Sequence, residues 1–354
     1  MRRLIVLISV WMLTACATNP VAPIPNAQNS FLYIYRFEPP ALLEYSADFQ
    51  LLREIPFAVP PNCGLVSLTP APVGSMLAAE LNCPNGQTVL YIDLDAATVS
   101  QPVAETDSHF LAWTADGQAA YLKIDSLGAP RVMQVTRTGE ATELSIAEFT
   151  YDLAAAPNGR DFTFTLSRGM GAGSELWLAS GNGKNAQELY SDSQNYISFA
   201  RWSPDGQQIA FLKIPDSATP FTVGELWVMN ADGSDPHLLA EADTGHGYAA
   251  NWSPDSQWLA FVRRDNPQDS QADQSAAALQ SNIVLVNVET GATRPLTDLT
   301  EGYAETARWS PDGNMLAFTV VINGRMQVSL AEIRTGEIRT LVTESTCCPA
   351  WIRK

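Results

Sequence analysis

His109 and His246 stand close to carboxylates in segments that lead into an apolar run. His109 lies two residues after Asp107, and His246 lies three after Asp243. An imidazole beside a carboxylate can pass a proton or help hold a divalent cation. Two histidines on separate segments are a thin basis for such a site. Surface histidines in polar loops are the simpler expectation for them and for His237, and the sequence leaves a metal open. Carboxylates recur at similar intervals: Glu105 and Asp107, Glu148 and Asp152, Asp192, Glu241 and Asp243, Asp298 and Glu301, and Glu344. Phe110, Tyr196, Tyr248 and Tyr303 sit beside them. Acids dotted with aromatic rings attract a cationic ligand, a basic protein segment or a metal ion. No Gly-x-Ser-x-Gly elbow occurs, and the Gly169–Gly173 run has no helix pattern after it, so neither a hydrolase nucleophile nor a dinucleotide fingerprint is expected. No cofactor is expected.

The bulk numbers narrow the field. A net charge of −17 repels phosphate backbones, which argues against a nucleic-acid partner. Charged residues make up 17%, too few for coiled coils or long solvated helices, while 46% hydrophobic residues can build a core.

The elements that must position those side chains are repeats. FARWSPDGQQIAFLK at 199–213 recurs as AANWSPDSQWLAFVR at 249–263 and TARWSPDGNMLAFTV at 306–320. Weaker copies lie at 110–124, 152–166 and 64–81. Each is an apolar run, a tight turn and a second apolar run. In the turn Pro sets φ, Asp bonds its own backbone and Gly takes φ > 0. A second pair of runs follows each hairpin, so every unit holds four short strands, A to D. Continuous apolar runs imply sheets buried on both faces. The chain begins with B, C and D from Phe31 and ends with a lone A at Pro349–Ile352, so the two ends share a blade and close a ring without an open edge. Residues 31–354 give about 46 per unit for seven blades, closer to the usual repeat than the 54 of a six-bladed alternative. The expected fold is all-β, a β-propeller of four-stranded antiparallel blades.

These Trp-Ser-Pro-Asp-Gly units resemble the PD40 repeats of TolB-like propellers, which are related in shape to WD40 propellers. The resemblance runs through 31–354 and is strongest in 197–343. It implies a propeller and leaves function open, because related propellers include lyases with clustered histidines and a metal. The chain departs from TolB itself in its seven expected units against six and in lacking room for a separate N-terminal α/β domain. Trp202, Trp252 and Trp309 are expected as wedges between blades, and Asp205, Asp255 and Asp312 as turn formers.

Ahead of the repeats, Met1-Arg2-Arg3, an apolar run from Leu4 to Leu13 and Leu13-Thr14-Ala15-Cys16 have the order of an export signal. The Leu-Thr-Ala-Cys ending resembles a bacterial lipobox. That resemblance implies a signal peptide at 1–15, lipidation of Cys16, and, with Ala17 rather than Asp next, the outer membrane of a diderm host. Residues 16–30 read as the lipidated Cys and a Pro-rich tether. Removing the signal leaves 19 basic residues against 38 acidic, a balance of −19. Export favours disulfides. Of the three pairings open to the remaining cysteines, Cys63–Cys83 is favoured, with Cys347 and Cys348 joined to each other or free.

In such a propeller the D–A and B–C loops share one face, here called the top, and the A–B and C–D turns the other. The expected binding residues, Asp107, His109, Asp192, Tyr196, Asp243, His246, Tyr248, Glu301 and Tyr303, all fall at the top. The insertion 265–281 reads as a mobile flap there. The expected function is a membrane-anchored envelope lipoprotein that binds a protein or small ligand without chemistry. The alternatives are a propeller enzyme with a top-face active site, or a structural spacer in an envelope complex.

Overall fold

The computed structural model describes residues 30–105, 107–125, 130–147, 149–217, 219–244, 249–343 and 345–353. The signal and tether residues, Cys16 among them, lie outside these, as do His246 and Tyr248.

Among the described residues, twenty-eight strands form six sheets. The first complete blade holds β4 (Gly64–Pro70), β5 (Met76–Cys83), β6 (Gly86–Asp93) and β7 (Thr98–Ser100). The second holds β8 (Ser108–Trp113), β9 (Ala119–Ile124), β10 (Arg131–Thr136) and β11 (Ala141–Glu143). The third holds β12 (Thr150–Ala155), β13 (Asp161–Ser167), β14 (Ser174–Ser180) and β15 (Gln187–Asp192). The fourth holds β16 (Asn195–Trp202), β17 (Gln208–Pro215), β18 (Val223–Asn230) and β19 (His237–Asp243). An eight-stranded sheet contains the next two units, β20 (Asn251–Trp252), β21 (Trp258–Arg264), β22 (Ser281–Asn287) and β23 (Thr293–Pro295), then β24 (Tyr303–Trp309), β25 (Met315–Ile322), β26 (Arg325–Glu332) and β27 (Ile338–Val342). A single parallel pairing, Ser281 with Tyr303, joins these halves. The remaining sheet pairs β28 (Thr346–Arg353) with β1 (Ser30–Arg36), β2 (Ala41–Tyr45) and β3 (Leu51–Pro56). The C-terminal strand thus supplies strand A to the N-terminal B, C and D. First strands neighbour one another from β8 through β24 to β28 and β4, and β8 meets β5 and β6 of the first blade, which closes the ring. The fold is a β-propeller.

Seven hydrophobic clusters fill the spaces between units. The period of two along a strand explains how one strand serves two of them. On β17, Ile209 and Phe211 pack toward the third blade, while Ala210 and Leu212 pack toward the fifth. Both faces are buried, so the runs read as continuously apolar.

The repeated motif has one job at each end. At the turn, the Asp accepts hydrogen bonds from the motif's own Ser and from a backbone amide. Ser203 and Gln207 serve Asp205, and Ser310 and Asn314 serve Asp312. Thr114 and Gln118 do the same for Asp116 and hold its carboxyl below the ordinary value. The Trp side chains lock neighbouring blades. Trp113, Trp252, Trp309 and Trp351 each donate an indole N–H to a strand-A carbonyl of the preceding blade: Thr69, Arg201, Asn251 and Arg308, at 2.9–3.2 Å.

The insertion after β21 is folded down rather than standing free as a flap. Ala272 and Leu279 are buried, Asn266 donates to the Ala278 carbonyl, and Asp273 meets the buried Arg264 at 3.0 Å. The two small apolar side chains give this polar stretch something to bury, which its composition hid.

Candidate functional site

Three of the top-face acids meet bases that the repeats supply. Asp192 ends strand D of the third blade and meets Lys213, near the end of strand B of the fourth, at 2.8 Å. Burial works against the Asp192 charge, but Lys213 and the amides of Gln194 and Asn195 win and hold its pKa at about 2. Lys213 also lies 4.4 Å over the Trp227 ring. One blade on, Asp243 meets Arg264 at 3.0 Å with both side chains wholly buried, and accepts from the Ser281 hydroxyl at 2.6 Å. Asp152 lies 3.5 Å from Arg201 and accepts from the Ala200 amide. Sequence reasoning passed over Lys213 and Arg264. The signal was present: aligned copies end strand B in Leu-Lys at 213 and Val-Arg-Arg at 262–264, opposite the acidic D–A segments.

Of the expected binding residues, Tyr196 packs edge-on to Tyr151, and Tyr303 is half-buried, its hydroxyl pKa raised by burial. Ser281 links Asp243 to the Tyr303 backbone. Glu301 is exposed, as are Glu105, Glu241 and Asp298.

Asp107 and His109 come together at the first seam. His109 Nε2 is 3.4 Å from Asp107 Oδ1 and 3.5 Å from Asp125 Oδ2, while Nδ1 faces Glu80 Oε1 of the first blade at 3.7 Å. The Glu80 carboxylate raises the His109 pKa against the opposing effect of burial. Lys123 bonds Asp125 at 2.8 Å. Asp107 sits at φ 67° and accepts from the Gln87 amide. Two disulfides lie on the same face: Cys63–Cys83 across the first hairpin, and Cys347–Cys348 at the start of the closing strand.

A recess of about 300 Å³ opens on the fourth blade between Lys213, Val223, Glu225, Leu238 and Glu241. Glu225 and Glu241 stand directly opposite each other on β18 and β19. Like charges in that register repel. Lys213 is 3.9 Å from Glu225 but is already bonded to Asp192.

No family model and no curated protein matches the sequence. Solved structures do. TolB from Acinetobacter baumannii superposes with a TM-score of 0.52 at 16% identity, over 89% of this chain and 79% of that one. The fold is a TolB-like propeller. An oligogalacturonate lyase in complex with manganese reaches 0.59 at 14% identity, over 87% of this chain and 83% of that one. Puromycin hydrolase reaches 0.62 at 15%, over 90% of this chain, which spans about half of that protein's length. At these identities the likeness is one of fold, and the same fold carries binding proteins and enzymes.

Proposed function

We propose that this protein is an exported, lipid-anchored propeller whose top face binds a basic partner at the cell envelope without chemistry. The observation that carries this is the recess on the fourth blade. Glu225 and Glu241 stand opposed there; Glu225 has Lys213 at 3.9 Å and the Trp227 indole at 2.8 Å, and the exposed Leu238 forms the wall. A lysine or arginine side chain of a partner would relieve that repulsion and fill the volume. Around it, Glu105, Glu241, Asp298 and Glu301 extend the negative field, and Phe149 and Met170 offer exposed apolar contacts on the same face.

The orientation suits capture away from the membrane. Ser30, where the tether joins, pairs with Arg353 at the bottom end of the closing blade. Lipidation at Cys16 would therefore hold the bottom toward the bilayer. A photo-crosslinker placed at Glu301 on the top, and separately at Glu289 in a bottom turn, tests the reading in intact cells. Adducts from 301 that disappear in a Glu225→Gln, Glu241→Gln double variant are expected. Adducts from 289 alone would favour a spacer and refute top-face binding. The enzyme alternative has the imidazole–carboxylate cluster at the first seam in its favour.

A further inference from the structure

We propose that Asp107, His109 and Asp125, backed by Glu80, form a binding site for a divalent transition-metal cation, with zinc the best geometric fit. The inference is independent of the partner reading, because it concerns other blades and a different ligand.

Geometry comes first. His109 Nε2, one oxygen of Asp107 and one of Asp125 lie mutually within 4.8 Å. The two Nε2-to-oxygen separations, 3.4 and 3.5 Å, are too long for N–H···O hydrogen bonds. They match the edge of a tetrahedron. Ligands about 2.0–2.2 Å from a zinc ion at tetrahedral angles lie about 3.3–3.6 Å apart. A neutral imidazole would aim its Nε2 lone pair at two carboxylate oxygens, an arrangement that needs a positive charge between them.

The surroundings favour the same reading. A ligating histidine typically presents its second nitrogen to a carboxylate, which fixes the ring. Glu80 stands at that place, facing Nδ1. Asp107 is aimed by its left-handed backbone and by the Gln87 amide. Glu80, Asp107 and Asp125 against Lys123 leave a balance of −2 with the imidazole neutral, which a dication cancels. Nitrogen with carboxylate oxygen suits zinc or manganese rather than a soft thiophilic ion. Lys123 is the internal competitor, since it takes the same Asp125 oxygen that faces Nε2. The three ligands leave at least one position open to solvent, where water or a partner's donor group would complete the shell.

The test uses the full protein stripped with chelator and titrated with zinc or manganese chloride in a calorimeter. One equivalent bound at micromolar concentration is expected for at least one metal. His109→Gln and Asp125→Asn should each weaken binding at least 100-fold. Glu80→Gln should weaken it about 10- to 100-fold, the usual cost of losing an outer-shell carboxylate. Lys123→Met should tighten binding by freeing Asp125, a result that a merely structural role for the cluster would not give. His237→Gln is the control and should change nothing. The proposal is overturned if neither metal binds below millimolar concentration, if His109→Gln binds as the parent does, or if His246→Gln abolishes binding and His109→Gln does not. Circular dichroism of each variant separates lost ligands from lost fold.

Discussion

Two identical hexapeptides, Arg201 to Gly206 and Arg308 to Gly313, allow one inter-blade hydrogen bond to be weighed against a matched control. Both tryptophans are half-buried wedges. Trp309 donates to the Asn251 carbonyl at 3.0 Å. The Trp202 indole nitrogen is buried without a partner. The reason lies in the blade before it. The Ala154 carbonyl, which stands in the place of those acceptors, receives the Thr163 hydroxyl at 3.5 Å instead. Trp→Phe at either site removes the same ring volume, a loss on the order of 1 kcal/mol. At 309 it also strands a carbonyl, which costs about 1–3 kcal/mol more. At 202 it removes an orphaned donor, which offsets part of the volume loss. Trp309→Phe should therefore lower stability by about 2–4 kcal/mol, and Trp202→Phe by no more than about 1. Urea unfolding followed by circular dichroism reads this as a clear shift of the midpoint for one variant and a small one for the other, at constant slope. Equal midpoints, or a larger loss at 202, would refute the reasoning that the hydrogen bond locks the blades.

Other expectations follow from the same contacts. Because Lys213 and backbone amides hold Asp192 at about 2, below the ordinary value near 3.9, its ion pair adds about 2 kcal/mol. That contribution is complete above pH about 5 and fades as pH falls through 4 toward 2; acid unfolding of Asp192→Asn should lack this segment of the slope. Cys63 and Cys83 close a loop of 20 residues, so the paired change to Ser should cost about 3 kcal/mol, read as a lower unfolding midpoint without reductant. Gly173→Ala should destabilise measurably, because its φ is +75° and a Cβ would lie 1.9 Å from the Asp192 carbonyl oxygen; an unchanged melting temperature would show that the loop can move aside.

The propeller was legible because its repeats state it three ways at once. The period of two shows in the strands, the Ser-Pro-Asp-Gly turns fall at a fixed offset, and the termini carry complementary strands. Cys63 and Cys83 lie where a hairpin brings its two ends together, so topology alone paired them. The site was less legible. Asp192 and Asp243 read as open acids because a single carboxylate in a loop does not reveal what faces it from the next blade. The answer lay in Lys213 and Arg264, about twenty residues on, near the end of the next blade's strand B. Asp125 and Glu80 gave no signal, because His109 reaches one through its own hairpin and the other across a seam.

That comparison between seams argues for where this propeller differs from a plain stack. At the third and fourth seams the acid ending strand D is met by a full cation from strand B of the next blade, and each pair lies largely out of water. At the first seam Ile124 stands where Lys213 does, and Lys123, one residue earlier, bonds Asp125. Asp107 is left to an imidazole, and Glu80 adds a third carboxylate from the other side. A seam that lacks such an ion pair and gathers three carboxylates around one half-buried ring is built to admit a positive charge from outside. The fourth blade repeats the principle in another form, with Glu225 and Glu241 facing each other across a recess. Some of the chain's acids thus fasten the blades as buried ion pairs, while others gather under-neutralised at two defined places on the surface.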